Sequence, residues 1–230
     1  MKILISDYDG TINRFSDNVY LSDLISLKRD VLAIKRFINK GNLFVISTGR
    51  SFVSMYNEIN KFKLKYNYLT VNNGLVTFDY KNNIVDATYL NKEFIRLIND
   101  LDGIISKIQL LNEYGINSKN NIVRIKFIVN DIKLFYNEIE KHLKYYNLCM
   151  YSNLRDFTIQ SNTDKTDGIN KLVEKIDMPG ETKIITVGNS INDADMIKSF
   201  DGYYMFDESE FINYFDKKVV KNIRELVKKL

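Results

Sequence analysis

Short runs of consecutive apolar residues punctuate this chain, and most are followed by a polar turn and then by apolar positions three and four apart. Ile3-Leu4-Ile5, Leu43-Phe44-Val45-Ile46, Tyr68-Leu69-Thr70-Val71 and Ile184-Ile185-Thr186-Val187 are apolar at nearly every position. That pattern suits strands covered on both faces. Val31, Ile34, Phe37 and Ile38 predict a helix over 29–40, stopped by Gly41. A second helix is expected over 51–63. Ile169, Leu172, Val173 and Ile176 mark a third, and the segment 188–196 turns into a fourth. A last strand is expected over 203–206 and a last helix over 219–230.

The middle of the chain has a different rhythm. Asn73-Gly74 and Lys81-Asn82-Asn83 are turn signals, so 75–78 and 84–89 read as a hairpin. A helical segment is expected over 91–111. In 122–129, Val123, Ile125 and Phe127 alternate with Arg124 and Lys126, which suits a strand with one open face. A helix over 131–146 carries Ile132, Phe135, Ile139, Leu143 and Tyr146 on one stripe, and strands over 148–151 and 157–160 close the section. The fold class is therefore α/β. A Rossmann-like parallel sheet core with helices on both faces, at 1–81 and 155–230, is split by a small inserted α+β domain at 82–154.

Composition narrows the functions open to such a fold. Hydrophobic residues make up 45% and charged residues 27% of the 230 positions, an ordinary globular balance. Lys and Arg number 33 against 29 Asp and Glu, a net charge of +4, too thin for a nucleic-acid face. With one cysteine, Cys149, and one histidine, His142, the chain has neither a disulfide framework nor a Cys/His zinc site. No apolar stretch reaches the roughly 20 residues that span a bilayer, and the first apolar run is too short for a signal-peptide core. A cytoplasmic protein without membrane or nucleic-acid partners is expected.

Three polar clusters directly follow buried strands: Asp7-Tyr8-Asp9-Gly10-Thr11, Ser47-Thr48-Gly49-Arg50 and Gly188-Asn189-Ser190-Ile191-Asn192-Asp193. In an open parallel sheet, ligands bind beyond the carboxyl ends of the strands, so the three can meet at one edge. Taken singly each is ordinary: Asp9-Gly10 is turn chemistry and Lys165 a surface lysine. No GxGxxG follows the first strand and no GxxxxGK[ST] occurs, which removes dinucleotide and P-loop binding. Around Ser190 the last glycine of a nucleophile elbow is missing. Cys149, in an apolar strand, reads as a packing residue.

Together the clusters resemble the haloacid dehalogenase-type phosphohydrolases, closest to their Cof-type branch. Asp7-Tyr8-Asp9-Gly10-Thr11 matches that family's DxDGT opening, Ser47-Thr48-Gly49-Arg50 its second motif, and Lys165 with Gly168-Ile169 its third. The run from Gly188 to Met196 matches the fourth, GDxxNDxxM, and the insert lies where this branch carries its α/β cap.

The resemblance implies a phosphatase acting on a small phosphorylated metabolite through an aspartyl-phosphate intermediate. Asp7 would be the nucleophile and Asp9 the general acid and base. Tyr8, Thr48, Gly49, Lys165 and Asn192 would hold phosphate oxygens. A Mg²⁺ cofactor would be bound by Asp7, the Asp9 carbonyl and the fourth motif. There the chain departs from the pattern, with Asn189 where an aspartate is usual and Asp193 either as a substitute ligand or as a support behind the ligands. A phosphomutase like the phosphomannomutases, and a catalytically weak binding or regulatory protein on the same fold, are the alternatives. Arg124 and Lys126, on the open face of one strand of the insert, are candidates for substrate specificity.

Overall fold

A computed structural model of the chain describes residues 1–14, 20–99, 101, 103–205 and 218–230. These fall into two compact units. One comprises Met1–Arg50, Ser54–Asp86 and Lys165–Leu230, the other Ser51–Val53 and Ala87–Asp164.

The larger unit is built on eight strands. They are β1 (Lys2–Ser6), β2 (Leu43–Ser47), β3 (Tyr68–Val71), β4 (Val76–Asp79), β5 (Ile84–Ala87), β10 (Lys183–Gly188), β11 (Asp201–Met205) and β12 (Lys218–Val220). Their spatial order is β12-β11-β10-β1-β2-β3-β4-β5. The six from β12 to β3 are parallel, and β4 returns antiparallel to β3. Ile3, Leu4 and Ile5 are buried throughout, as a central strand covered on both faces requires. Ile3, Ile5 and Val45 pack with Ile169 and Leu172 of α5 (Lys165–Lys175) and with Met196 and Ile197 of α6 (Ala194–Ser199). Helix α1 (Leu21–Asn39) lies against β2 and against α7 (Ile223–Lys229).

The smaller unit is a four-stranded antiparallel sheet, in the order β6-β7-β9-β8, with two helices. Its strands are β6 (Ile105–Leu111), β7 (Arg124–Val129), β8 (Leu148–Asn153) and β9 (Asp156–Ser161). Its helices are α3 (Lys92–Asn99) and α4 (Ile132–Tyr145). Phe94 and Ile98 of α3, Phe135 and Ile139 of α4, and Ile125, Phe127, Phe157 and Ile159 of the sheet form one buried cluster.

Four expectations are corrected. The helix expected over 91–111 stops at Asn99, and its second half is β6. A β-bulge between Ile105 and Lys107 brings Ile105 and Ile108 onto one face, three residues apart, which imitates helical spacing. The helix expected over 219–230 begins only at Ile223, capped by the Asn222 side chain, because Val219-Val220 extends the sheet as β12. The helix expected from 29 starts at Leu21. Its first turns were hidden by exposed Leu21 and Ile25 and by the buried Asp30 on its inner stripe. The insert runs over Ala87–Asp164 rather than 82–154, since β5 joins the larger sheet and β9 pairs with β7 and β8. Positions 100, 102 and 206, inside expected elements, lie outside the described residues. Among the described residues no helix is long and apolar enough to cross a membrane.

Candidate active site

The sheet order explains why distant polar clusters meet. From β1 the chain continues to β2 and β3 on one side, while β10 and β11 fill the other, so β1 marks the point where strand order reverses. Register aligns Ser6 with Ile46 and with Val187, so Thr48 and Gly188 lie level with the residues just beyond β1.

Asp7 continues the sheet by one hydrogen bond, its N–H donating to Val187 O at 2.9 Å. The chain then turns tightly. Tyr8 O accepts from Ile12 N and Asn13 N, and Gly10 N donates to Asn13 O at 2.7 Å. Gly10 has φ +78°, and a Cβ on it would come within 2.1 Å of the Asn189 amide, so only glycine fits.

Lys165 is the first residue of α5 and is almost wholly buried. Its Nζ donates to Asp7 Oδ1 and to Asp193 Oδ1, both at 2.6 Å. The helix start is held close by Gly168, where a Cβ would come within 2.5 Å of Gly74 Cα. Gly74 ends a turn in which Asn72, Asn73 and Gly74 all have positive φ. Two buried carboxylates thus share one ammonium. Burial first, and then the Asp193 charge, push the Asp7 carboxyl up to about 7 against the pull of Lys165. Burial works against the Lys165 ammonium, but the two carboxylates outweigh it and raise its pKa.

Asp9 is half-exposed and held in a fork by Arg50, Nε to Oδ2 at 2.8 Å and Nη2 to Oδ1 at 2.5 Å. That bond, and then the Asp9 charge, raise the Arg50 pKa above its usual value against the cost of burial. The guanidinium also lies 5.3 Å from the Tyr8 ring centroid. The Tyr8 side chain is buried and its hydroxyl donates to Glu58 Oε2 at 2.8 Å, so any contact of Tyr8 with phosphate would come from its main chain. Thr48 is buried beyond β2, its Oγ1 accepting from Arg50 N at 3.2 Å. Next to it, Gly49 leaves room for the Asn73 side chain.

The residues of the fourth motif divide. Asp193 is fully buried and both its oxygens are taken: Oδ1 by Lys165, Oδ2 by Asn189 N, Ser190 N and Ser190 Oγ at 3.0–3.1 Å. Of its two expected places, ligand and support behind the ligands, these bonds give it the supporting one: it fixes Lys165 and the loop. Asn192 sits exposed in the 3-10 turn Ile191–Asp193. Asn189 packs over Gly10, and its amide faces Asp7 Oδ2, Asp9 O and Thr11 Oγ1. Among the described residues no three His, Cys, Asp or Glu side chains converge. Asp7 Oδ2 and the Asp9 main-chain oxygen converge on one terminal atom of the Asn189 amide, and with the amide oxygen turned inward the three would be hard donors that suit Mg²⁺. The residues fit the ion, with one formal negative charge among the three.

Arg124 and Lys126 belong to the smaller unit and differ from each other. Lys126 is exposed, on the same sheet face as Gln109 and Thr158. Arg124 is half-buried and donates from Nε and Nη2 to Gln160 Oε1 at 3.0 and 2.6 Å, and no carboxylate pairs with it among the described residues. Burial lowers its pKa to about 10. Cys149, expected in the core, shares that face, because Leu148 and Met150 take the inward positions on β8. Sequence reasoning quoted Arg50 and Ser190 within motifs but gave them no task, and it missed Glu58. Their partners lie on other elements or, for Ser190, depend on a cap only the folded loop forms.

A family model for the haloacid dehalogenase-like hydrolases matches residues 4–151. The chain belongs to the haloacid dehalogenase-like hydrolases. A solved structure from Thermotoga maritima aligns with TM-score 0.76 at 16% identity, covering 99% of this chain and 97% of its own. A HAD-superfamily phosphatase from Bacteroides thetaiotaomicron aligns with TM-score 0.69 at 18% identity, over 100% and 94%. A Plasmodium vivax protein assigned to the HAD/COF-like hydrolases aligns with TM-score 0.66 at 17% identity, over 99% and 94%. At such identities these likenesses establish a shared fold. No curated protein matches the chain.

Proposed function

We propose that this hydrolase is a Mg²⁺-dependent phosphatase that cleaves a small phosphorylated metabolite through a phosphoryl group carried on Asp7. The observation that carries this reading is the buried Asp7 carboxylate, fixed at 2.6 Å by Lys165 and followed two residues later by half-exposed Asp9. One Asp7 oxygen forms a bond to phosphorus while the bond from phosphorus to the ester oxygen breaks. Asp9 gives a proton to that departing oxygen. In the second step Asp9 takes a proton from water as the water oxygen attacks phosphorus, which releases inorganic phosphate and regenerates Asp7. Lys165 offsets negative charge beside the nucleophile, and Thr48 retains a hydroxyl hydrogen for a phosphate oxygen. Asp7, Asp9 and Asn189 would hold the ion, whose charge offsets repulsion between a carboxylate and a phosphate dianion. Asp9 must leave the Arg50 fork to act, so substrate entry and release of that ion pair belong to one step.

The test is phosphate release from a panel of sugar phosphates, nucleotides and phosphorylated cofactors with Mg²⁺. Asp7→Asn should abolish turnover; activity within tenfold of wild type, about 1.4 kcal/mol in the barrier, would sink the assignment. Asp9→Asn should slow a sugar phosphate far more than p-nitrophenyl phosphate, whose leaving group needs no proton. Conversion of a labelled sugar phosphate to its isomer would favour a mutase instead.

Selection among anionic substrates is assigned to Arg124 and Lys126. Arg124→Gln and Lys126→Gln should raise KM for the natural substrate and leave a small artificial ester unaffected. An unchanged KM would return both to ordinary surface roles.

A further inference from the structure

The Asn189 side chain lies where its single terminal atom decides the character of the site. Turned one way, the amide oxygen faces Asp7 Oδ2 at 3.3 Å and Asp9 O at 2.8 Å and accepts from Thr11 Oγ1 at 3.1 Å. Two oxygens without a hydrogen between them at such distances repel, so this orientation needs a cation to hold it. Turned by 180°, the same position holds the amide nitrogen, which donates to Asp7 Oδ2, Asp9 O and Thr11 Oγ1. Both orientations occupy one space, because a carboxamide is planar with its oxygen and nitrogen nearly equal in size. On one side the amide is packed against Gly10.

We infer that Asn189 is a two-faced plug: its amide nitrogen closes the metal-free site, and its amide turns over to present oxygen when a divalent cation enters. This rests on the reading that the site takes Mg²⁺. An aspartate at this position has no donor, and without metal it would add a third carboxylate beside Asp7 and Asp193. The glutamine or asparagine class of side chain can serve both states; an aspartate serves only the loaded one. The chain therefore trades affinity for the ion against a metal-free state that is itself hydrogen-bonded, and Mg²⁺ must displace a protein donor before it binds.

The experiment uses the full chain, ¹⁵N-labelled, with the Asn189 side-chain amide signals identified by their loss in Asn189→Asp. In chelator these protons should exchange slowly with water, and titration with Mg²⁺ alone should shift them and remove that protection. Calorimetry and thermal unfolding, each with and without Mg²⁺, supply the second arm. Asn189→Asp should melt several degrees below wild type in chelator, bind Mg²⁺ several-fold more tightly, and gain more in Tm from the ion. Asn189→Ala should also melt lower in chelator but gain no affinity, which separates loss of the donor from gain of charge. Amide signals unmoved while calorimetry shows Mg²⁺ binding would overturn the inference. So would a metal-free Asn189→Asp as stable as wild type, or equal affinities in the two proteins. Phosphate release enters none of these readouts. A protein that behaves as described yet hydrolyses no ester would overturn the phosphatase reading alone.

Discussion

Asp7, Lys165 and Asp193 form a chain of charge with two anions and one cation, removed from water at the end of a central strand. Such an arrangement leaves the Asp7 carboxylate short of compensating charge. In the metal-free protein the folded state holds the Asp7 proton up to about 7, whereas the unfolded chain releases it near 3.8. Between about pH 4 and 7 the unfolded state therefore binds fewer protons, and the stability contributed by this group falls as pH rises. Asp7→Asn removes the titration. In chelator, Tm measured against pH should decline less steeply through that window for Asp7→Asn than for wild type. Equal slopes would mean that Asp7 titrates in its ordinary range.

Elements are joined by a further buried carboxylate that lies away from the Asp7 cluster. Asp30, on the inner stripe of α1, is fully buried. It accepts from Arg14 Nη2 at 3.1 Å, from Arg224 N at 3.1 Å and from Arg224 Nη1 at 3.3 Å. It ties the segment after β1 to α1 and α7, elements nearly 200 positions apart in sequence. Asp30→Ala takes the charged acceptor from the Arg224 N–H and from two guanidinium groups, which keep Ser26 as an acceptor, a loss of about 2 kcal/mol for hydrogen bonds to a charged group. The midpoint of urea unfolding should drop accordingly with an unchanged slope. A midpoint equal to that of wild type would mean that burial of the charge costs as much as its bonds return. The same scale shows why β6 was misread. One bulge converts a period of two into an apparent period of three, and only pairing with β7 reveals it.

At the scale of the whole molecule, two features were legible and one was not. The buried parallel strands could be read because a strand covered on both faces must be apolar at successive positions, a purely local requirement. The convergence of the polar clusters could be read because each directly follows such a strand and ligands gather at strand ends. The end of the insert could not, since β9 differs from a strand of the larger sheet only in its partners, β7 and β8. The sequence by itself determined the buried parallel strands β1, β2, β3 and β10 and the polar clusters that follow β1, β2 and β10. Only the tertiary structure decided that Asp193 serves Lys165, that Arg50 holds Asp9, and that the Asn189 amide faces Asp7. The Lys165–Asp7 bond spans 158 positions. A pairing of that kind leaves no periodicity in the chain, because it is selected by which strand ends the sheet order makes neighbours.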